Sequence, residues 1–232
     1  MSYFAPQSHP AAAAAMSNPA IEATEQLRAI RALMERSTIY RAISAPAALF
    51  AGVLSLGVCW WLWTVRDPKD APAPIMFLLI WLAVLVVVSV VNFVLLFRSA
   101  RRRGEAFVSA GMKHALRALL PPLIAGFGMT LLEVSGPGNT ARDCYANMAA
   151  NWILFYGLAL LATGSFSPSS MQALGAGFFA FGVLTWLPSV RLYFDRQYPA
   201  AVIFMAFSFG VLHIIYAAAV WIQSRRELPP HD

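Results

Sequence analysis

Charged residues are scarce in this sequence. Asp, Glu, Lys and Arg together make up 12% of its 232 residues, and Asp and Glu number only 11. Ordinary soluble domains carry about a quarter charged residues, so this composition excludes a typical water-soluble fold. Hydrophobic residues make up 59% of the chain, and such a chain needs lipid as part of its solvent.

Residues that usually bind metals or carry out catalysis are also few. The chain has four histidines and two cysteines, and their spacing matches no zinc motif. It contains no recognisable nucleophile with a base beside it, no carboxylate pair and no phosphate-binding loop. The Gly-rich stretch at residues 173–182 lies inside an apolar segment, which argues against a nucleotide-binding turn. We therefore expect no catalytic residues, no metal and no cofactor, and a protein that is not an enzyme.

Six apolar segments follow one another along the chain. Each is close to the roughly 20 residues that a helix needs to cross the hydrocarbon core of a bilayer. Only a helix satisfies its own backbone hydrogen bonds in lipid. The sequence therefore predicts an all-α, polytopic membrane bundle within residues 42–224. Its six transmembrane helices are expected at about 43–64, 75–97, 115–134, 147–163, 171–190 and 199–223.

The N-terminal part of the chain has a different character. Residues 1–19 lack a basic region followed by a continuous apolar one, so they resemble a disordered tail rather than a signal peptide. In residues 20–41, Leu27, Ile30 and Met34 recur at helical spacing and predict an amphipathic helix. This helix could lie on the cytoplasmic face of the bilayer, or it could bind a partner as a short coiled coil.

The distribution of Lys and Arg predicts the orientation. If both termini are cytoplasmic, twelve of the 17 basic residues fall on the cytoplasmic side, including Arg98, Arg101, Arg102 and Arg103. Cytoplasmic loops retain such an excess, so we predict a multi-pass protein of the bacterial inner membrane with residues 225–232 as a cytoplasmic tail. The basic residues flank the spans rather than forming a basic domain, so no nucleic acid partner is expected.

Tryptophan marks the opposite interface. Trp60, Trp61 and Trp63 cluster at the predicted outer end of the first helix, and Trp152 and Trp186 are expected near the same level. Their rings have an apolar body and a polar N–H group, which suits the headgroup region. We interpret all five as interfacial anchors.

The two cysteines also fall toward the predicted outer side. Cys59 lies near the end of the first helix, and Cys144 lies in the loop before the fourth. A disulfide is possible in an oxidising periplasm. Alternatively, Cys59 lies within the apolar zone and behaves as a small hydrophobe.

Polar side chains within the spans are the candidates for function, because they are costly in lipid. His213 could relay protons or bind a metal or haem, but the other histidines lie in tails or loops, so a second haem ligand is missing. It could equally hydrogen-bond a neighbouring helix. Asn92 and Asn151 could line a polar path or join helices. The candidate polar site is Asn92, Asn151 and His213, with His213 a weak candidate for binding a cofactor.

Small residues predict where helices approach closely. Gly175, Gly177 and Gly182 lie in the fifth segment, and Ala206 and Gly210 lie one turn apart in the sixth. Small residues let helix backbones come together in membranes. We expect the fifth and sixth helices to pack tightly, against each other or across a subunit interface.

Three segments resemble an uncharacterised family of bacterial six-helix integral membrane proteins. They are residues 34–40 (MERSTIY), 155–160 (FYGLAL) and 209–216 (FGVLHIIY). The resemblance implies a six-helix fold and a bacterial origin, and it brings no assigned activity. The chain departs from the family pattern at Ser44-Ala45-Pro46-Ala47, where a Ser-Gly-rich entry to the first helix is expected.

Two functions from different classes remain open from the sequence. The first is a non-catalytic structural or accessory subunit of a membrane complex, whose partners are the lipid bilayer and other membrane subunits or a second copy. The alternative is a small transporter, or a sensor of a lipid or small molecule, built around Asn92, Asn151 and His213.

Overall fold

The computed structural model describes residues 25–28, 45–64, 72–104, 110–136, 141–164, 167–193 and 197–226. Within these ranges the chain is helical and has no strand, so the predicted all-α class is confirmed. A π-helix at Ala206–Leu212 joins the last two helices into one C-terminal segment, residues 197–226. The helices are α1 (Ala45–Thr64), α2 (Pro74–Arg103), α3 (Ala110–Ser135), α4 (Ala141–Ala162), α5 (Ser169–Thr185), α6 (Pro188–Tyr193), α7 (Gln197–Met205) and α8 (His213–Arg226).

Among the described residues, five helical stretches are long and apolar enough to cross a membrane, and they indicate a membrane-embedded protein. Four belong to α1, α2, α3 and α4, and the fifth is Tyr198–Arg225 within the C-terminal segment. The remaining apolar helix, α5, has 17 residues, which is about 26 Å of helix against a hydrocarbon core of about 30 Å.

The predicted amphipathic helix is described only in part. Residues 25–28 are helical, and the side chain of Leu27 is exposed. The rest of that helix, the tail at residues 1–19 and the last residues from 227 to 232 lie outside the described residues.

Helix α4 is at the centre of the bundle. Its residues Met148, Ala149, Ala150 and Ile153 are fully buried, and it packs against α2, α3, α5 and α7. Helices α2 and α3 lie at the periphery and expose many large apolar side chains. Apolar residues lie on both sides of these two helices, so one side can pack in the bundle while the other faces lipid.

Glycines set the packing of α4 against α5. A Cβ atom at Gly157 would lie 3.0 Å from the carbonyl oxygen of Gly175, and one at Gly182 would lie 2.8 Å from the Cα of Leu154. Residues later in α4 therefore contact residues earlier in α5, so the two helices are antiparallel. The predicted tight packing of Gly175 and Gly182 is onto α4, the preceding helix, while Gly177 has only Leu212 within van der Waals range.

A second glycine contact holds α1 against the C-terminal segment. A Cβ atom at Gly52 would lie 2.8 Å from the carbonyl oxygen of Gly210, and one at Gly210 would lie 2.5 Å from Leu56 Cδ2. Farther along, Tyr198 Oη donates a hydrogen bond of 3.2 Å to the carbonyl of Leu62. These contacts also run antiparallel, and they place Gly210 against α1 rather than against α5.

Aromatic rings close the end of the bundle at which α1 ends and α2 begins. Phe77, Tyr145 and Tyr198 form edge-to-face pairs with centroids 5.3–6.4 Å apart. Tyr145 Oη donates a hydrogen bond to the carbonyl of Pro72. Because aromatic pairs favour such edge-to-face geometry, this cluster fixes α2, α4 and α7 together at what we call the α1–α2 end.

One of the tryptophans does not lie where the anchor interpretation puts it. Trp60, Trp61, Trp63 and Trp186 are exposed, but Trp152 is partly buried, stacks on Phe77 and donates a 2.6 Å hydrogen bond to Thr130. The reason is that α4 begins at Ala141, six residues before the expected start, so Trp152 lies well inside the helix. The interfacial interpretation of Trp152 is therefore wrong.

The two cysteines are buried and are not joined by a disulfide. Cys59 packs in the main apolar core. Cys144 Sγ lies 3.2 Å from the backbone carbonyl of Glu133 on α3. Of the two alternatives, the structure has Cys59 as a small core residue.

Candidate intramembrane binding cavity

His213 is the first residue of α8, immediately after the π-helix. Its Nε2 atom lies 3.2 Å from the hydroxyl of Tyr156 on α4. Its Nδ1 atom is buried without a hydrogen bond of ordinary geometry, although backbone groups of Ser208 and Phe209 on the preceding turn interact with the imidazole. A π-helix shifts the backbone hydrogen bonds to i→i+5 and is frequent at functional sites. Here it sets the angle at which His213 meets α4.

Aromatic rings hold this pair in place. The rings of Phe178 and Phe209 each contact both Tyr156 and His213, with centroids between 4.8 and 6.0 Å apart. Phe178 is fully buried. The imidazole and the phenol are therefore clamped on two sides, and neither side chain can change rotamer without disturbing α5 or the π-helix.

A cavity of about 260 Å³ lies beside the Tyr156–His213 pair. Its wall is built by α1, α2, α3, α4 and the C-terminal segment, and none of the described residues that line it is charged. Rings make up much of the lining, and Ser55 adds a hydroxyl-bearing side chain. The lining residues are Ala51, Ser55, Leu78, Trp81, Leu82, Val84, Leu85, Val88, Leu123, Gly126, Phe127, Trp152, Phe155, Tyr156, Met205, Phe209 and His213.

The cavity opens sideways between α2 and α3. These two helices make at most marginal contact with each other. Leu85 on α2 and Phe127 on α3 both line the cavity, yet they are 58% and 47% exposed on the outer surface. In a bilayer, this opening faces the hydrocarbon chains of lipid rather than water.

Only one residue of the predicted polar site borders this cavity. His213 is in its wall, whereas Asn92 and Asn151 are not. Asn92 follows Val88 by four residues, so it lies one helical turn beyond the cavity on the same face of α2. Both asparagines have a buried amide atom without a hydrogen-bond partner, Oδ1 in Asn92 and Nδ2 in Asn151. The structure does not gather the three side chains around one space.

Three residues of the site carry polar groups that were not predicted from the sequence. Tyr156 lies in the second half of α4, Ser55 lies in α1, and Trp81 is 5% exposed with an Nε1 atom that has no hydrogen-bond partner. The signal for Tyr156 is the same as for His213, because a hydroxyl inside a span needs a partner. For Trp81 the hydrophobic run around it gives no such signal.

A separate polar contact lies toward the α1–α2 end. The side-chain amide of Asn147 on α4 donates to both carboxylate oxygens of Glu133 on α3, at 3.3 and 3.2 Å. This pair joins α3 to α4 and does not border the cavity. Among the residues that the structure describes, no group of three His, Cys, Asp or Glu side chains is placed to hold a metal ion.

No family model, no curated protein and no solved structure matches this chain. The resemblance to an uncharacterised bacterial six-helix family therefore stays a prediction.

Proposed function

We propose that this protein is a non-catalytic, six-span protein of the bacterial inner membrane that binds a small lipophilic molecule. The observation that carries the proposal is the uncharged, ring-lined cavity beside the Tyr156–His213 pair. A concave apolar space with a few polar groups is the usual form of a small-molecule site. This proposal follows the sensor form of the alternative predicted from the sequence, with His213 retained and the two asparagines outside the binding space.

The direction of helix packing supports the sixth span. Helix α5 runs antiparallel to α4, which is itself long enough to cross a membrane. A helix that packs antiparallel along a spanning helix returns toward the side from which its neighbour came. With six crossings and the excess of basic residues inside, the N- and C-termini are cytoplasmic.

The position of the opening supports binding from within the bilayer. The gap between α2 and α3 is lateral, so a molecule dissolved in lipid can enter without crossing water. Transport across the membrane would need a path to both aqueous sides, and the described cavity has a lateral opening. Sensing or holding a lipophilic molecule therefore fits the geometry better than transport does.

A matched pair of substitutions tests this proposal. Val88 lines the cavity, while its neighbour Val87 does not and is exposed. Val88→Phe should fill the space, and Val87→Phe adds the same atoms on the outer face. The wild-type protein and both variants are purified in mild detergent from the same membranes, and extracted small molecules are identified by mass spectrometry.

We expect a lipophilic compound in near-equimolar amount with the wild-type protein and with Val87→Phe, and its loss from Val88→Phe. Equal retention by both variants would show that the compound binds elsewhere. Absence of any such compound from all three proteins would remove the proposal.

The accessory role remains a second candidate because of α3. Of the helices that the structure describes, only α4 makes more than marginal contact with α3, and no atom of a neighbouring helix lies within 4 Å of a Cβ built at Gly128. A small residue on the uncovered face of a helix that packs on one neighbour can form a close contact with a helix of another subunit or of a second copy. The same purification decides this point, since a monomer without any co-purifying protein would count against it.

A further inference from the structure

We infer that the ligand is a neutral, membrane-soluble compound with one aromatic or quinonoid ring that carries oxygen. Its ring would lie among the aromatic side chains of the cavity, and its oxygen would lie at the Tyr156–His213 pair. This inference rests on the proposed function and names the ligand class for the same site.

The lining argues for a neutral ligand. In the part of the chain that the structure describes, no Asp, Glu, Lys or Arg borders the cavity. A charged group placed there would lose its hydration and gain no partner of opposite charge, which is strongly unfavourable in lipid. A phospholipid headgroup or an organic acid is therefore excluded by the wall itself.

The rings in the wall argue for an unsaturated ligand. Five aromatic side chains besides Tyr156 line the space, from α2, α3, α4 and the π-helix. Aromatic rings gain from stacked and edge-to-face contacts beyond the burial of apolar area. A saturated chain would be stabilised by burial of apolar area alone, so we expect a planar ring to bind more tightly in this cavity. These five residues are Trp81, Phe127, Trp152, Phe155 and Phe209.

The Tyr156–His213 pair argues for oxygen on the ring. When His213 Nε2 accepts the hydrogen bond of 3.2 Å, the phenol oxygen of Tyr156 keeps lone pairs for a hydroxyl of the ligand. When Nε2 carries the proton and donates, the Tyr156 hydroxyl is available for a ligand carbonyl. The same two side chains can therefore match a ring hydroxyl or a ring carbonyl by a change of imidazole tautomer.

Size and depth agree with one ring. A volume of 260 Å³ corresponds to roughly nine groups of water size at about 30 Å³ each, which is enough for one substituted ring and too little for a haem. Tyr198 and Arg225 bound the last span, and His213 lies roughly 18–22 Å along the helix from either. The site is thus inside the membrane-spanning length of the C-terminal segment. An alkyl tail on the ring could leave through the gap between α2 and α3.

Binding of 2-decyl-1,4-benzoquinone tests the ligand class. The full chain is placed in phospholipid nanodiscs, and the saturable quenching of tryptophan fluorescence is measured, because Trp81 and Trp152 line the cavity. Decylcyclohexane, which has the tail without an unsaturated ring or oxygen, serves as the competitor. We expect saturable binding of the quinone that Val88→Phe removes and Val87→Phe retains, with little displacement by decylcyclohexane.

Substitution of the polar pair tests the position of the oxygen. Tyr156→Phe keeps the ring and removes the hydroxyl, and it should weaken quinone binding about tenfold, the worth of one hydrogen bond. His213→Gln provides a second variant if Tyr156→Phe does not fold. Binding of decylbenzene, which has no oxygen, should be unchanged in either variant.

The outcomes separate the ligand class from the proposed function. If decylcyclohexane displaces the quinone as well as decylbenzene does, the ligand class is wrong and the cavity accepts any hydrocarbon. If the quinone does not bind but a native compound is extracted and lost in Val88→Phe, the class is wrong and the proposed function stands. If the quinone does not bind and no native compound is extracted, both the ligand class and the proposed function are wrong.

Discussion

At the scale of single residues, close approach between helices depends on a few glycines. Gly157 makes the tightest contact with backbone atoms, because a Cβ atom there would lie 2.5 Å from the backbone nitrogen and 2.9 Å from the Cα of Phe179. Backbone atoms cannot rotate away as the end of a side chain can. A methyl group at this position must therefore push α5 away from α4.

Gly157→Ala should lower the free energy of unfolding by about 1–3 kcal/mol, the usual cost of overpacking a core. Gly57→Ala is the matched control, because nothing lies within 4 Å of its built Cβ and the change should stay within about 0.5 kcal/mol. Thermal or denaturant unfolding in the same detergent measures both. Equal stability of the two variants would show that the contact at Gly157 relaxes without cost.

The sequence predicted part of this residue-level picture. Gly175, Gly182 and Gly210 stood out because small residues repeat around them, and all three lie at close helix contacts. Gly157 stands among larger residues and gave no pattern, whereas Gly52 follows Ala48 at the spacing of four residues and was overlooked. A close contact at a glycine involves two helices, and the sequence alone does not show which helix packs against that glycine.

At the scale of elements, the π-helix Ala206–Leu212 determines how the residues before it and after it in the C-terminal segment contact the other helices. Before it, Tyr198 and Phe204 pack at the α1–α2 end. After it, His213 meets Tyr156. In a regular α-helix, removal of one residue turns everything beyond it by about 100° and moves it by about 1.5 Å. The two sets of contacts therefore need the irregular segment between them.

Deletion of Phe207 should restore a regular helix and, because it removes the extra residue that the π-helix accommodates, leave His213 against Tyr156. Phe207 is exposed, so its loss leaves little cavity in the core. The measurement is the ¹⁵N resonance of the His213 imidazole in protein with labelled histidine. Tyr156→Phe should therefore shift this resonance both in the full-length chain and in the chain without Phe207.

A deletion beyond the histidine is the control for that experiment. Ala219 is exposed in α8, and its removal leaves the π-helix and His213 in register. The response to Tyr156→Phe should persist there. Loss of the response after deletion of Phe207 alone would show that the π-helix does not hold one extra residue between the two sets of contacts.

The helices could be predicted from the sequence where a long apolar run identifies them. The runs in α1, α2 and the C-terminal segment predict helices, because a single segment in lipid satisfies its backbone hydrogen bonds only as a helix. The start of α4 was predicted too late, because Arg142 and Asp143 lower the hydropathy of its first turn. The π-helix and the cavity were not predicted. Both arise from how side chains of different helices fit together, and no single segment carries that information.

At the scale of the whole molecule, the number of crossings determines the side on which the chain ends. Five helical stretches meet the length of a span, and α5 is shorter, with 17 residues. If α5 did not cross, the C-terminal segment would place Arg225 and Arg226 on the side opposite the other basic loops. That arrangement opposes the retention of Lys and Arg in the cytoplasm, so we favour six crossings.

Cysteine labelling on the two sides of α5 tests the sixth crossing. Ser169 begins α5, Ser189 follows it, and both are exposed. In a chain carrying Cys59→Ala and Cys144→Ala, Ser189→Cys should react with a membrane-impermeant maleimide added to intact spheroplasts, and Ser169→Cys should react only after permeabilisation. This difference is expected because a helix that crosses the hydrocarbon core must leave its two ends in separate aqueous compartments. Reaction of both cysteines from the same side would reduce the count to five and move the C-terminus outside.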